Sequence, residues 1–138
     1  MERKVLSVGM VGVLIALLTA VLAPASAQAA ATPSTSPKVI PHLTTEVNPT
    51  CQDGYACAVI YVDDSAPRMR YVFRFYYYQT YELSNWNMSG WAVNRQTGTA
   101  KMRLLDQYGG LIDCVPPGHY ASPHWGPVWK IQLTPNAC

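Results

Sequence analysis

The chain has 138 residues, with ten Lys and Arg against eight Asp and Glu, for a formal net charge of +2. Every Tyr, Trp and Phe lies between Cys51 and Cys138, a stretch short enough for one domain and holding seven basic and six acidic side chains. That near-neutral balance excludes an electrostatic nucleic-acid binder.

In chain order, the first element is a basic start (Arg3, Lys4) followed by an almost uncharged run from Val5 to Ala23 and then small residues. A basic start, an apolar middle and an A-x-A exit describe a secretory signal peptide. The apolar run approaches the length that spans a bilayer, about 20 residues. However, the tripeptides ASA and AQA suit cleavage after Ala27 or Ala29, and no basic stop-transfer cluster follows. Residues 1–29 are therefore expected to be removed, leaving a secreted protein with no membrane partner and, in solution, a monomer. Residues 30–50 carry four prolines and many threonines. Prolines that close together block both helix and central strand, so this part reads as a linker, an extended arm or a removable pro-segment. His42 within it is expected to be solvated.

Residues 51–138 form the folded unit. A domain this small buries a modest share of its surface and often needs covalent staples. Its four cysteines, Cys51, Cys57, Cys114 and Cys138, are the only ones in the chain. In an exported chain an even cysteine count reads as disulfides. A zinc site drawing on His119 and His124 has no matching ligand spacing. Connectivity does not follow from sequence. The preferred pairs are Cys51–Cys57, closing a loop around the turn former Asp53-Gly54, and Cys114–Cys138, which ties down the C-terminus.

The strongest strand signal runs from Arg68 to Tyr78. A period of two places Met69, Tyr71, Phe73, Phe75 and Tyr77 on one face. Arg68, Arg70, Val72, Arg74, Tyr76 and Tyr78 fall on the other, where the arginines are expected to be solvated. Shorter runs of the same kind are Cys57–Val62, Trp91–Asn94, Ala100–Leu105, Leu111–Cys114 and Val128–Leu133. Turn formers separate them: Asp63-Asp64-Ser65, Asn85 to Gly90, Gln96-Thr97-Gly98, Gly109-Gly110 and Pro116-Pro117-Gly118. Short strands at close spacing predict an all-β sandwich or barrel.

The chemistry of an enzyme is hard to assemble from these residues. Glu82 is the only glutamate of the domain, and no H-E-x-x-H, G-x-S-x-G or phosphate-cradling loop is present. His119 and His124 have no evident nucleophile to activate. No catalytic residue is assigned. Calcium would want clustered oxygens, which Asp63, Asp64 and Ser65, or Asn94 and Thr97, supply only sparsely; no cofactor is expected. Two binding surfaces stand out instead. One is the loop from Asp113 to Trp125, whose paired prolines limit its freedom and so the entropy lost on binding. The other is a set of surface aromatics, Tyr76 and Tyr78, suited to a glycan.

The pattern Cys51-x-x-Gly54-Tyr55-x-Cys57, then Ser84-Asn85-Trp86-Asn87, then Asn94-Arg95-Gln96-Thr97-Gly98, with a late Trp125-Gly-Pro-Val-Trp129, spans nearly all of the folded unit. It resembles the secreted actinobacterial peptidase-inhibitor family typified by Streptomyces metalloproteinase inhibitor (peptidase inhibitor family 36). The resemblance implies a βγ-crystallin-like fold of two Greek keys, with the Asn85–Gly90 turn seated over Trp86 and Trp91. It also implies inhibition of a thermolysin-like metallopeptidase through a reactive bond between a cysteine and a valine, matched here by Cys114-Val115. Val115 would enter the pocket that follows the cut, and Pro116, lacking an N–H, would oppose productive binding; Pro117 stiffens the same loop. Arg95 stands where the family has a second asparagine, removing one oxygen that calcium could use. The cysteine that relatives carry near Arg74–Gln79 is missing here. The same fold also appears in secreted killer-toxin-like proteins and calcium-binding modules, so a cell-surface or glycan-binding module and a killer-toxin-like antimicrobial protein stand as alternative readings, and fold alone does not choose among them.

Overall fold

The computed structural model describes residues 31–62 and 67–138; the expected signal peptide and the Asp63-Asp64-Ser65 turn lie outside them. The described residues form ten strands: β1 (Ser34–Ser36), β2 (His42–Thr44), β3 (Ala56–Tyr61), β4 (Arg70–Phe75), β5 (Thr80–Ser84), β6 (Gly90–Asn94), β7 (Lys101–Leu105), β8 (Leu111–Val115), β9 (Tyr120–Ala121) and β10 (Lys130–Thr134). They make two five-stranded sheets, ordered β1-β5-β10-β7-β8 and β2-β4-β3-β6-β9, with every pairing antiparallel. The all-β expectation holds.

The order of the strands carries a repeat. In the run β3–β6, strands β4, β3 and β6 lie side by side while β5 crosses to the other sheet. In the run β7–β10, strands β8, β7 and β10 lie side by side while β9 crosses back. Each run therefore donates its third strand to the sheet of the other.

Alternation explains how the sheets face each other. Ala58, Ile60, Phe73 and Phe75 from one sheet meet Tyr81, Leu83, Met102, Leu104, Ile131 and Leu133 from the other in one core. Phe73 lies against Trp86 with centroids 4.6 Å apart, and Phe75 against Tyr81 at 4.7 Å. Two tryptophans occupy the centre. Trp86 comes from the β5–β6 connection and Trp125 from the β9–β10 connection, and they meet edge to face at 5.0 Å. Trp125 Nε1 donates to Val59 O at 3.1 Å, and Trp86 Nε1 donates to Ser34 O at 2.9 Å. Buried indole N–H groups need such partners, since an unpaired one costs roughly 1–3 kcal/mol. Gly90 makes the Trp125 contact possible: a Cβ there would fall 1.8 Å from Val59 O and 2.6 Å from Trp125 Nε1.

Several expectations change. The segment read as a linker, arm or pro-segment supplies the outermost strand β1 of one sheet and β2 of the other. Prolines are compatible with strands at a sheet edge, where one side of the backbone needs no ladder partner. Thr35 is buried there, and its hydroxyl donates to Pro37 O while accepting from Val39 N. The long aromatic strand stops at Phe75, so alternation does not carry Tyr77 inward; it is 69% exposed. Arg70, expected on a solvated face, is buried. Its guanidinium donates to Arg68 O at 2.8 Å and Thr45 O at 3.3 Å and lies over the Tyr61 ring. Trp91 is only half-buried, on β6 opposite Val59, and the second core tryptophan is Trp125.

Both disulfides follow the preferred pairing, Cys51–Cys57 with Cα atoms 5.9 Å apart and Cys114–Cys138 at 6.0 Å. The first encloses a turn in which Tyr55 N donates to Gln52 O and Gly54 has φ +90°. Glycine adopts that left-handed conformation without the penalty of a Cβ. Two disulfides are compatible with an extracellular protein.

Candidate functional site

Strand β8 lies at the outside of its sheet, paired on one side only, with β7. A bulge at Ile112 breaks the register: Leu104 faces Asp113, while Leu105 faces Leu111. Leu111, Ile112 and Asp113 are exposed, Cys114 is half-buried and Val115 is 1% exposed. The inward turn of Val115 corrects the expected presentation of its side chain to a peptidase pocket. Val115 belongs to the core and pairs with Met102. Two apolar side chains, Leu111 and Ile112, face solvent on the same strand instead. The Asp113 carboxylate accepts a hydrogen bond from Cys114 N at 2.7 Å, occupying that amide.

The chain beyond Val115 is held on several sides. His119 N donates to Pro116 O at 3.1 Å, closing a four-residue turn with Gly118 at φ +78°. Pro at the second position and Gly at the third are the residues a type II turn favours, one with φ preset and the other free to take φ > 0. Asn94, fully buried at the end of β6, ties this turn to the body. Its Nδ2 donates to Val115 O at 2.9 Å and to Ala100 O at 3.0 Å. Its Oδ1 accepts from Gln96 N at 3.0 Å. Its backbone grips the last two residues of the same turn: Asn94 N donates to His119 O and Gly118 N donates to Asn94 O. Cys114–Cys138 anchors the residue before Val115 covalently. In the sequence Asn94 stands out as a sparse calcium ligand and as part of the Asn94–Gly98 segment of the resemblance. An Asn just before a turn can bond the backbone two residues on, and that cue points to its structural role.

A second surface gathers the exposed tyrosines. Tyr76 and Tyr78 are each 55% exposed, and Tyr77 joins them. Tyr76 packs against Tyr55 at 5.3 Å and meets Tyr77 edge-on at 5.3 Å. Gly54, Tyr76, Tyr77, Tyr78, Gln96 and Thr97 line an open groove of about 320 Å³.

The remaining candidates are accounted for locally. His119 Nδ1 lies 3.1 Å from Pro117 O, and His124 Nδ1 accepts from Gly126 N at 3.2 Å. Asp106 accepts from Tyr108 N and Gly110 N and so shapes the β7–β8 turn. Among the described residues no three His, Cys, Asp or Glu side chains come together as a metal-ligand group. Compared with known proteins, the chain matches no family model, no curated protein and no solved structure.

Proposed function

We propose that the protein is a secreted inhibitor of a thermolysin-like metallopeptidase, built on the paired Greek keys of a βγ-crystallin-like domain. The fold reading is supported by the exchange of third strands, β5 and β9, between two four-strand runs. The functional reading rests on one observation: the Cys114–Val115 bond ends an outer strand whose two sides are fixed independently. Cys114 is tied to Cys138, and Val115 is held by core burial and by the Asn94 amide. An extended outer strand is a shape that a peptidase cleft can grip through its backbone.

Inhibition here does not require Val115 to leave the core. Leu111 and Ile112 make the apolar contact, and the Pro116–His119 turn fixes how the strand departs. With Val115 held in the core and Cys114 tied to Cys138, the bond does not reach the geometry a cut requires. Pro116, without an N–H, also denies the peptidase one backbone contact after the bond.

The test is residual thermolysin activity on a peptide substrate, titrated with the oxidised protein and with Ile112→Asp. The reading expects stoichiometric inhibition by the parent protein, weakened at least tenfold in the variant, about 1.4 kcal/mol or more of binding energy. A folded, oxidised protein that leaves thermolysin untouched at large excess would sink it.

A further inference from the structure

Gln96, one of the residues lining the tyrosine groove, carries a buried acceptor with no partner inside the protein. Gln96 is 8% exposed. Its backbone N–H is taken by Asn94 Oδ1 and its side-chain Nε2 donates to Tyr76 O at 3.1 Å. Its side-chain oxygen Oε1 is buried with no hydrogen-bond partner. An acceptor left in that state forfeits a hydrogen bond that water would have made. The site is also firmly built. Asn94 positions Gln96, Gln96 holds the Tyr76 carbonyl, and Tyr81 Oη donates to Tyr77 O at 3.3 Å.

We infer that this groove is a binding site for a neutral saccharide, a site separate from the β8 strand. Three features choose the ligand class. The exposed rings of Tyr76, Tyr77 and Tyr78 offer apolar faces on which the C–H face of a pyranose can stack. The unpaired Gln96 oxygen asks for a donor, which a sugar hydroxyl supplies. The charged pair beside the groove, Asp53 and Arg95, is joined by its own ion pair, so neither side chain is free to select a charged ligand. A proline-rich peptide would also suit tyrosine faces. Proline carries no N–H, so such a peptide brings few donors for Gln96. The tyrosines contribute area and the amide contributes orientation.

Amide shifts of the oxidised protein, followed by NMR during separate titrations with cellotetraose, chitotetraose, maltotetraose and a proline-rich peptide, test the assignment. With at least one of the sugars, shifts should concentrate at Gly54, Tyr76–Tyr78, Gln96 and Thr97. Tyr77→Ala and Tyr78→Ser, both at exposed positions, should each weaken that binding roughly tenfold, as loss of a central aromatic anchor does. Tyr108→Ala, an exposed tyrosine on the β7–β8 turn, should leave it unchanged. The inference is overturned by silence at millimolar concentration of all three sugars. It is equally overturned by shifts that map elsewhere, by binding that survives both groove variants, or by preferential capture of the peptide.

Discussion

The two halves of the fold, β3–β6 and β7–β10, solve the same problem with different materials. Each sends its third strand to the opposite sheet and returns through a connection carrying a core tryptophan. In the second half, Trp125 finds its acceptor on β3, at Val59. In the first half, Trp86 finds its acceptor only on the segment before the cysteine framework, at Ser34. That segment pairs with β5 through Ser34, Thr35 and Ser36. It also reaches the turn after β5, where Asn85, at φ +65°, donates from Nδ2 to Thr32 O at 3.4 Å. The difference teaches that one half is complete within residues 51–138 and the other is finished by residues 31–50.

Four experiments break or sharpen this contrast. Gly90→Ala should have the largest effect, because its Cβ would collide with the backbone at Val59 and with the Trp125 indole. A loss of more than about 4 kcal/mol, or failure to fold, is expected in denaturant titration; a variant of parental stability would mean that the β3–β6 contact is looser than described. Removing residues 30–50 should come next. It strips β1, β2 and the Trp86 acceptor, a cost on the order of 4 kcal/mol from several lost hydrogen bonds. Tryptophan emission should shift to the red, and an unshifted, equally stable protein would refute the dependence of the first half on the arm.

The disulfides extend the comparison. The second half is closed by a bond spanning 24 residues and the first by one spanning 6. Chain-entropy arguments assign about 3.5 and about 2.4 kcal/mol to such loops. Replacing Cys114 and Cys138 together by Ser should therefore destabilise more than replacing Cys51 and Cys57, and the reverse order in thermal melts would show that strain or burial dominates. The smallest expected difference lies between Trp125→Phe and Trp86→Phe. The first leaves the buried Val59 carbonyl short of a donor, whereas the second frees a carbonyl on the exposed Ser34. Trp125→Phe should cost about 1 kcal/mol more, and equal losses would mean that only the ring volume matters.

Strand content is readable in the sequence where alternation and β-formers coincide, as in Arg70–Phe75, Lys101–Leu105 and Lys130–Thr134. The disulfide pairing is open in the sequence, and the preferred one rests on the turn former inside the short loop. The features that escape depend on distant neighbours. Thr80–Ser84 lies beside a turn-rich stretch and gives no strand signal of its own, although Tyr81 and Leu83 alternate inward. Arg70 resembles a surface charge because sequence does not display the carbonyls of Arg68 and Thr45 or the Tyr61 ring that receive it. Of the candidate site, the cysteines and the rigid proline turn are legible. The direction of Val115 is not, since only its place opposite Met102 in an outer strand fixes which way it points. Nor is the spare acceptor of Gln96, which is defined by partners the residue lacks.

The exchange of third strands also decides how the molecule can come apart. Neither run can complete its sheet until the other has delivered β5 or β9, so assembly waits on contacts between residues far apart in sequence. Such topologies gain their stability late and all at once, and fold slowly for their size. A single cut in the β6–β7 connection, around Gln96–Thr99, would therefore release no free half: the two fragments stay interleaved, each carrying a strand that the other needs.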